Sequence, residues 1–484
     1  MATKKDLVEA YSFSRRRLVT AFVSGAPGGR EVEPTRPGRA VIGGLALAVL
    51  LVTGGAVLGV LKSPGFADLD QEGLVSEKES GADYAVLKVP GSDRTELRPL
   101  ANITSAMLLF GADAESQKVS RDELDDKTIG APIGILDAPA TPPQQADLVQ
   151  DGWTACTGVV DGDPVGIRVD LSADSDTTPA PEQSFVVRTA SGRLFLVAQS
   201  LVGADRGVER AYAYPVPDGE ATDRTLQAVA AASAADAVTV PDQWVTLFPD
   251  GGALAFETFG LGADLGEPWP YRAGVDGAQE ARIGDLLEVG GTLYLMTGDG
   301  SLKLDDFSAG VYQALDLPGQ VTATTYQAAQ VPGGTTIRDA SSLPDASWPI
   351  QVRPRQQAAD QVCARLDVPG GQPGVVLATT RTGAESSPDK VGVDDVSVSV
   401  DSGAGAFVQS GGWSGEGDAT PVLVDARGYA YPVGPGDETT RLGYGGVARV
   451  VVPQDWIGLF RVGVTLSIDA ARCPPTSEPG GPCS

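Results

Sequence analysis

An uncharged and largely apolar run extends from Ala40 to Leu61. A helix of these 22 residues would be about 33 Å long, which is enough to cross a hydrocarbon core of about 30 Å. Because lipid offers the backbone no hydrogen-bond partners, a lone segment can cross a membrane only as a helix. The pattern therefore predicts one transmembrane helix over 40–61.

Residues 4–24, before this run, show the spacing of an amphipathic helix. Leu7, Tyr11, Leu18 and Phe22 fall on one face, and arginines follow its flank. Such a helix could dock on a cytoplasmic partner or lie on anionic lipid headgroups, and the sequence leaves both contacts open. The residues that we expect to make this contact are Tyr11, Phe13, Arg15, Arg16 and Arg17.

The chain beyond residue 84 contains copies of itself. The segment Tyr212–Val216 recurs as Tyr429–Val433, and Val240–Phe248 recurs further along as Val452–Phe460. Short alternating stretches of this kind, separated by glycine, are typical of strands and turns. The aromatic residues that recur are the predicted core of the repeats: Tyr212, Tyr214, Trp244, Tyr429, Tyr431 and Trp456.

Each copy also has a lead-in of strand, glycine and strand, at Phe185–Val197 and Val422–Val433. Two weaker relatives occur at Ala85–Leu100 and Leu286–Leu304. We therefore predict a strand-rich α+β fold with about four pseudo-symmetric units, each a hairpin plus a short helix, around a central core in an elongated extracytoplasmic domain.

These patterns divide the chain into four parts. Residues 1–39 form a cytoplasmic basic helix and linker, 40–61 the transmembrane helix, 62–470 the repeat domain, and 471–484 a tail rich in Pro, Gly and Cys.

Charge supports this division and gives it a direction. Residues 1–39 hold eight Lys or Arg and four acids, a net of +4, whereas the residues after Lys62 hold 27 basic and 59 acidic side chains, a net of −32. The positive-inside rule places the basic end in the cytoplasm and the acidic bulk outside. A domain with this negative charge lacks the basic surface that nucleic-acid binding needs. We therefore expect no nucleic-acid partner.

Small residues inside the predicted span favour close helix packing. Gly44, Ala48, Gly55 and Gly59 lie within about 60° of one another on a helical wheel. Gly55 and Gly59 form a GxxxG pair, which lets two backbones approach each other closely. The partner helix cannot be identified from this pattern.

Cysteine and histidine usage restricts the chemistry. The four cysteines are Cys156, Cys363, Cys473 and Cys483, all after the predicted span, and an even number outside the cytoplasm indicates two disulfides. Three connectivities are open, of which we favour Cys473 with Cys483 and Cys156 with Cys363. The chain has no histidine, which excludes catalytic triads and metal sites that use it.

A search for catalytic motifs gives no candidate. The sequence has no G-x-x-x-x-G-K-[ST] loop, and its numerous acid pairs fit a solvated acidic surface. We therefore predict no catalytic residues, no cofactor and no metal.

Several motifs, taken together and in order, resemble the EccB family of the actinobacterial type VII (ESX) secretion system. The resemblance covers nearly the whole chain, and the motifs that carry it run from the N-terminal helix through the anchor to Cys156. The motifs are Tyr11-x-Phe13-x-Arg15-Arg16-Arg17, the Arg39–Leu61 anchor with Lys62-x-Pro64-Gly65, Glu79–Tyr84, Leu97–Ala106, Gly130–Pro139 and Trp153-x-x-Cys156.

This resemblance implies a single-pass inner-membrane protein with a periplasmic repeat domain that carries a Cys156–Cys363 disulfide. It implies a complex with the motor ATPase EccC, with EccD and EccE, with further copies of itself and with the mycosin protease, and a scaffolding role in the export of WXG-type substrates. Two alternatives are a cell-wall-binding module of the same machine and an ATPase, an activity that is attributed to some members.

Overall fold

The computed structural model describes residues 3–24, 69–125, 127–160, 162–173, 175, 177–200, 210–343, 347–352, 361–380, 391–415, 420–448 and 450–475. The chain divides into two compact units, 1–66 and 67–484. In the first unit, helix α1 covers Lys4–Ser24, where the apolar spacing predicts a helix.

The predicted transmembrane span at 40–61 lies outside the described residues, and so do Gly44, Ala48, Gly55 and Gly59. Among the helices that the structure describes, none combines the length and the hydropathy that a membrane crossing requires.

In the second unit, the strands of the described residues form one central sheet and four smaller sheets. The first small sheet, repeat 1 (73–125), and the first strands of the central sheet come first along the chain. Their elements are β1 (Gly73–Glu77), β2 (Asp83–Lys88), β3 (Thr95–Pro99), α2 (Ile103–Phe110), β4 (Gln117–Val119), α3 (Arg121–Asp125), and the central strands β5 (Trp153–Val160), β6 (Asp163–Leu171) and β7 (Thr177–Pro179).

Repeat 2 (184–245) and repeat 3 (286–339) follow without interruption by the central sheet. Their elements are β8 (Ser184–Thr189), β9 (Leu194–Ser200), β10 (Arg210–Pro215), α4 (Ala221–Ala228), β11 (Val238–Val240) and α5 (Asp242–Val245), then β12 (Leu286–Val289), β13 (Thr292–Thr297), β14 (Gly300–Lys303), α6 (Asp306–Ala314), β15 (Thr325–Ala328) and β16 (Thr336–Asp339).

The chain then returns to the central sheet and ends in repeat 4 (406–462). These elements are β17 (Gln361–Asp367), β18 (Gly374–Thr380) and β19 (Val396–Val400), then β20 (Ala406–Gly411), β21 (Thr420–Val424), β22 (Tyr429–Pro432), α7 (Glu438–Arg441), β23 (Val451–Pro453), α8 (Gln454–Ile457) and β24 (Arg461–Val462), with α9 (Ile468–Arg472) beyond them.

All four repeats share one topology. Three strands form an antiparallel meander, a helix crosses over, and a return strand pairs parallel to the first strand of the meander. The prediction of a hairpin plus a helix therefore lacked two strands, the third strand of the meander and the return strand. A parallel return strand needs a crossover connection, which the helix supplies.

The lead-in stretches are not equivalent to each other. Phe185–Val197 forms the first two strands of repeat 2, whereas Val422–Val433 covers the second and third strands of repeat 4. Gly192 and Gly428 both occupy turns with positive φ, so either turn of a meander gives the same sequence pattern. The interpretation of these stretches as one repeated lead-in was wrong for that reason.

The central sheet has the strand order β19-β6-β5-β17-β18-β7. Strands β5 and β17 are antiparallel, and Cys156 lies directly opposite Cys363. The two residues form a disulfide, which is the bridge that the resemblance implies.

The repeats pack in two pairs, and one member of each pair packs on the central sheet. One apolar cluster joins the central strands to repeats 2 and 4 through Trp153, Trp244 and Trp456. A second cluster joins repeat 2 to repeat 3, and a third joins repeat 4 to repeat 1. Repeat 2 therefore connects repeat 3 to the central sheet, and repeat 4 connects repeat 1 to it.

Candidate functional site

The recurring tryptophans lie where the repeats meet. Trp244 and Trp456 occupy short helices, α5 and α8, directly after the return strands of repeats 2 and 4, and both are fully buried. The indole Nε1 of Trp244 donates to the carbonyl oxygen of Ala155 on central strand β5 at 3.0 Å. Buried indole N–H groups need such a partner, and here the partner belongs to another element of the core.

The second tyrosine of each recurring motif is also buried completely. The hydroxyl of Tyr214 donates to the carbonyl oxygen of Ser347 at 2.6 Å, and that of Tyr431 donates to Oδ2 of Asp425 at 3.1 Å. Burial, together with the nearby charge of Asp425, raises the pKa of Tyr431 above that of a free phenol. The hydroxyl of Tyr431 therefore acts as a neutral donor inside the fold.

The first tyrosine of each motif is half-buried. Tyr212 and Tyr429 stand beside their partners Tyr214 and Tyr431, with ring centroids 6.3 and 6.1 Å apart. In each of these two repeats, the second tyrosine is therefore buried and the first reaches the surface.

The sequence prediction missed two glycines that these tyrosines require. A Cβ on Gly251 would lie 2.2 Å from Cε1 of Tyr214, and one on Gly463 would lie 2.3 Å from Cδ1 of Tyr431. Each glycine follows the tryptophan of its repeat by seven positions. This shared Trp-x6-Gly spacing is the signal that could have found them.

Two further contacts fasten the repeat pairs. Nη1 of Arg441 on α7 donates to the carbonyl oxygens of Leu108 and Leu109 at the C-terminal end of helix α2, where a cation is favourable. In the other pair, a Cβ on Gly310 of α6 would lie 2.7 Å from the carbonyl oxygen of Ala228. Glycine at position 310 therefore allows α6 to approach the end of α4 closely.

The disulfide lies on the other face of the central sheet from the tryptophans. Cys156, Cys363 and Ala378 form a small buried cluster of their own. The proposed partner of Cys473 is Cys483, which lies outside the described residues, and this predicted pair stays a prediction.

The predicted contact residues of the N-terminal helix are all exposed on α1: Tyr11, Phe13, Arg15, Arg16 and Arg17. Their exposure leaves them available for a partner or a lipid surface.

Within the described ranges, no three or more acidic or cysteine side chains are grouped so that they could hold a metal ion. Of the predicted core residues, Trp244 and Trp456 pack on the central sheet, whereas the tyrosines pack between repeats 2 and 3 and between repeats 4 and 1. The arrangement is one that joins parts of a protein.

Comparison with known proteins gives a consistent result. The family model "Type VII secretion system ESX-1, transport TM domain B" matches residues 1–475. A relative from Mycolicibacterium smegmatis (strain MKD8), named ESX-1 secretion system ATPase EccB1, is 25% identical over 465 residues, 92% of this chain and 89% of the relative. A protein of the same name from Mycobacterium tuberculosis (strain H37Rv) is 27% identical over 202 residues, 40% of each chain.

Solved structures share the fold. A chain of an intact ESX-5 inner membrane complex has a TM-score of 0.57 at 18% identity, covering 99% of this chain and 97% of that one. A chain of the EccB3 dimer from the ESX-3 core complex has a TM-score of 0.57 at 17% identity, covering 83% of this chain and 100% of that one. Because the family model matches nearly the whole sequence, this chain belongs to the EccB family of type VII (ESX) secretion proteins.

Proposed function

We propose that this chain is a non-catalytic structural subunit of an ESX inner membrane complex. In this proposal the segment 40–61 anchors it, the basic end faces the cytoplasm, and the acidic repeat domain scaffolds the periplasmic side while WXG-type substrates are exported. The charge distribution of +4 before the segment and −32 after Lys62 supports this orientation.

The observation that carries the proposal is the use made of the recurring residues. Trp244, Trp456, Tyr214 and Tyr431 are fully buried, and their polar atoms are hydrogen-bonded inside the fold. A cell-wall-binding module would present such side chains to a ligand, whereas these four are used inside the fold, two of them (Trp244 and Trp456) in contacts between elements. This favours a scaffold over a cell-wall-binding module, which would need such aromatics on the surface.

Three groups of partners follow from the proposal. Family relatives are described in an intact ESX-5 inner membrane complex and as an EccB3 dimer, so we expect EccC, EccD, EccE and a second copy, with the mycosin protease as a further periplasmic partner. The small residues Gly44, Ala48, Gly55 and Gly59 would pack against a membrane helix, and the exposed face of α1 would meet a cytoplasmic partner or lipid.

The test is isolation of the tagged full-length chain from detergent-solubilised membranes of a cell that expresses its own secretion genes. We expect EccC, EccD and EccE to co-purify, and recovery of the chain alone would contradict the proposal. The double variant Tyr11→Ala with Phe13→Ala tests the helix contact, and Ser12→Ala on the same helix is its control. Protease added to intact spheroplasts should remove the repeat domain.

The second candidate function is ATP hydrolysis, because the relatives carry the name ATPase. The sequence has no P-loop motif. The two functions are distinguished by measuring phosphate release from the purified full-length chain. Turnover that a single Lys or Arg substitution abolishes, without loss of assembly, would favour the enzyme.

A further inference from the structure

The outer edge of the central sheet is formed by β19. In the described part of the chain, this strand pairs only with β6, to which it is parallel. Ile167 donates its N–H to the carbonyl of Asp395, and Asp401 donates its N–H to the carbonyl of Leu171. Backbone groups alternate in direction along a strand, so those of Val396, Val398 and Val400 face away from β6. The edge therefore offers a row of donors and acceptors for another strand.

A cleft of about 600 Å³ lies along this edge, between the first half of β19 and repeat 4. Its apolar lining includes Val396, Val398, Leu459 and Phe460. The lining also includes polar side chains. The cleft therefore runs beside unpaired backbone groups and presents both apolar and polar side chains to a strand that adds to this edge.

Two arginines line the repeat 4 side of the cleft. Arg427 bonds Oδ2 of Asp425 at 2.8 Å, although 56% of its side chain is exposed. Arg461 stacks on the ring of Tyr429 at 5.8 Å and has no carboxylate partner among the described residues. In a region with a net charge of −32, this cation is available to an acidic ligand.

The opposite end of the cleft has the opposite charge, because Asp395 lines it and Asp394 precedes it. A carboxylate in the cleft is therefore favoured beside Arg461 and disfavoured beside Asp395. This polarity fixes where an acidic side chain of a ligand must lie.

Two exposed apolar side chains are next in sequence to residues that line the cleft. Val462, next to Arg461, is 84% exposed, and Val393, next to the lining residue Gly392, is 39% exposed. A strand that pairs with β19 would place alternate side chains on opposite faces. A bound strand can therefore carry acids on one face and apolar side chains on the other.

We propose that this cleft binds an extended acidic segment of a partner protein, which adds to β19 as a new strand and places a carboxylate on Arg461. The proposal goes beyond a scaffolding role, since it assigns a surface, a binding mode and a partner chemistry. It does not depend on which complex the chain joins.

The experiment uses the full-length chain in detergent micelles and a fluorescent, N-acetylated and C-amidated heptapeptide of alternating Glu and Val. Four peptides are compared: this one, its Lys-for-Glu counterpart, and two forms of the Glu peptide in which every second amide is N-methylated, one form for each edge. Protein variants are Arg461→Glu and, as the matched control, Arg121→Glu at an exposed position of repeat 1. Fluorescence anisotropy gives the affinities.

We expect the Glu peptide to bind, and Arg461→Glu to weaken it on the order of tenfold, since charge reversal replaces attraction by repulsion. Arg121→Glu should change the affinity less than about twofold. N-methylation on the pairing edge should weaken binding at least as much as Arg461→Glu, because it removes backbone donors. Val462→Asp, at a highly exposed position, places a negative charge next to Arg461 and should weaken binding without unfolding the chain.

Four outcomes would overturn the proposal. They are no binding of the Glu peptide at millimolar concentration, equal binding of both N-methylated forms, no effect of Arg461→Glu and Val462→Asp, and loss of self-association by these variants with no effect on the peptide. Binding of a soluble peptidoglycan fragment that depends on Arg461, without binding of the peptide, would also overturn it and assign the cleft to cell wall.

Discussion

The indole Nε1 of Trp456 donates a 3.0 Å hydrogen bond to the carbonyl oxygen of Leu247, although 209 positions separate the two residues in sequence. Leu247 follows Trp244, whose own indole donates to Ala155 of the central sheet. A series of contacts therefore runs from repeat 4 through repeat 2 to the centre. This buried bond adds a specific polar contact to the apolar cluster that joins these two repeats.

The first prediction concerns this bond. Trp456→Phe removes the indole N–H and leaves the carbonyl of Leu247 without its donor, which should lower the free energy of unfolding by about 1–3 kcal/mol. Urea denaturation of the full-length chain measures it. Trp413→Phe, at a half-buried position, is the control and should cost less. Equal losses for both would mean that the indole bond adds nothing beyond ring packing.

The second prediction concerns the Trp-x6-Gly spacing. A Cβ on Gly463 would overlap the ring of Tyr431, and one on Gly251 would overlap that of Tyr214. Gly463→Ala and Gly251→Ala should each lower the free energy of unfolding by about 1–3 kcal/mol through overpacking. In Gly446→Ala the new Cβ meets no atom within 4 Å, so stability should hardly change. If Gly446→Ala lowered the free energy of unfolding by the same amount, the losses at positions 251 and 463 would come from restricting the backbone and not from overlap with the tyrosine rings.

The two strong repeats could be predicted from sequence because their aromatic residues have specific partners. Trp244 and Trp456 each donate one buried indole N–H to a backbone carbonyl. Few other side chains combine so large an apolar ring with such a donor. The motif around them therefore stays recognisable in both copies. The two weaker repeats were harder to recognise in the sequence, because they lack this tryptophan.

The return strands could not be predicted. Residues 451–453 and 238–240 are three-residue strands, too short for an alternating pattern to be read. Their pairing is decided by a helix crossover and by partners some 40 positions or more away in sequence. Only the folded chain brings these residues together.

The cleft beside β19 could not be predicted from the sequence either. Val396–Val400 alternates like any half-buried strand, and its position at the sheet edge depends on pairing with residues 167–171. Arg461 comes from another repeat and is one of 36 basic residues. Its importance appears only when its neighbours are known, because an isolated arginine in a sequence indicates no ligand.

The third prediction concerns the disulfide. Replacing both Cys156 and Cys363 by Ala opens a loop between residues 207 positions apart and should lower the free energy of unfolding by about 2–5 kcal/mol. Denaturation of the non-reduced full-length chain measures the loss. The same change at Cys473 and Cys483 opens a predicted loop of only ten residues and should cost less. If the tail variant loses as much, loop length does not govern the stabilisation.

The fourth prediction concerns pH. Oγ of Ser191 donates to Oδ1 of Asp242 at 2.6 Å, and its backbone N–H donates to Oδ2 at 3.1 Å. These bonds favour the charged form, so they lower the pKa of Asp242 below its ordinary value of 3.8. Because the folded pKa lies below the unfolded one, the stabilisation is present in full above about pH 4 and is lost as the pH falls through the folded pKa.

Asp242→Asn should therefore lower the free energy of unfolding at pH 7 by on the order of 1 kcal/mol, a small value because the carboxylate is exposed. The deficit should shrink as the pH falls below 4 and disappear once the wild-type carboxyl is protonated. Denaturation curves of both proteins between pH 7 and pH 2.5 measure it, with Asp93→Asn at another exposed position as the control. A deficit that stays constant with pH would mean that the shape of residue 242, and not its charge, holds the turn of repeat 2 against helix α5.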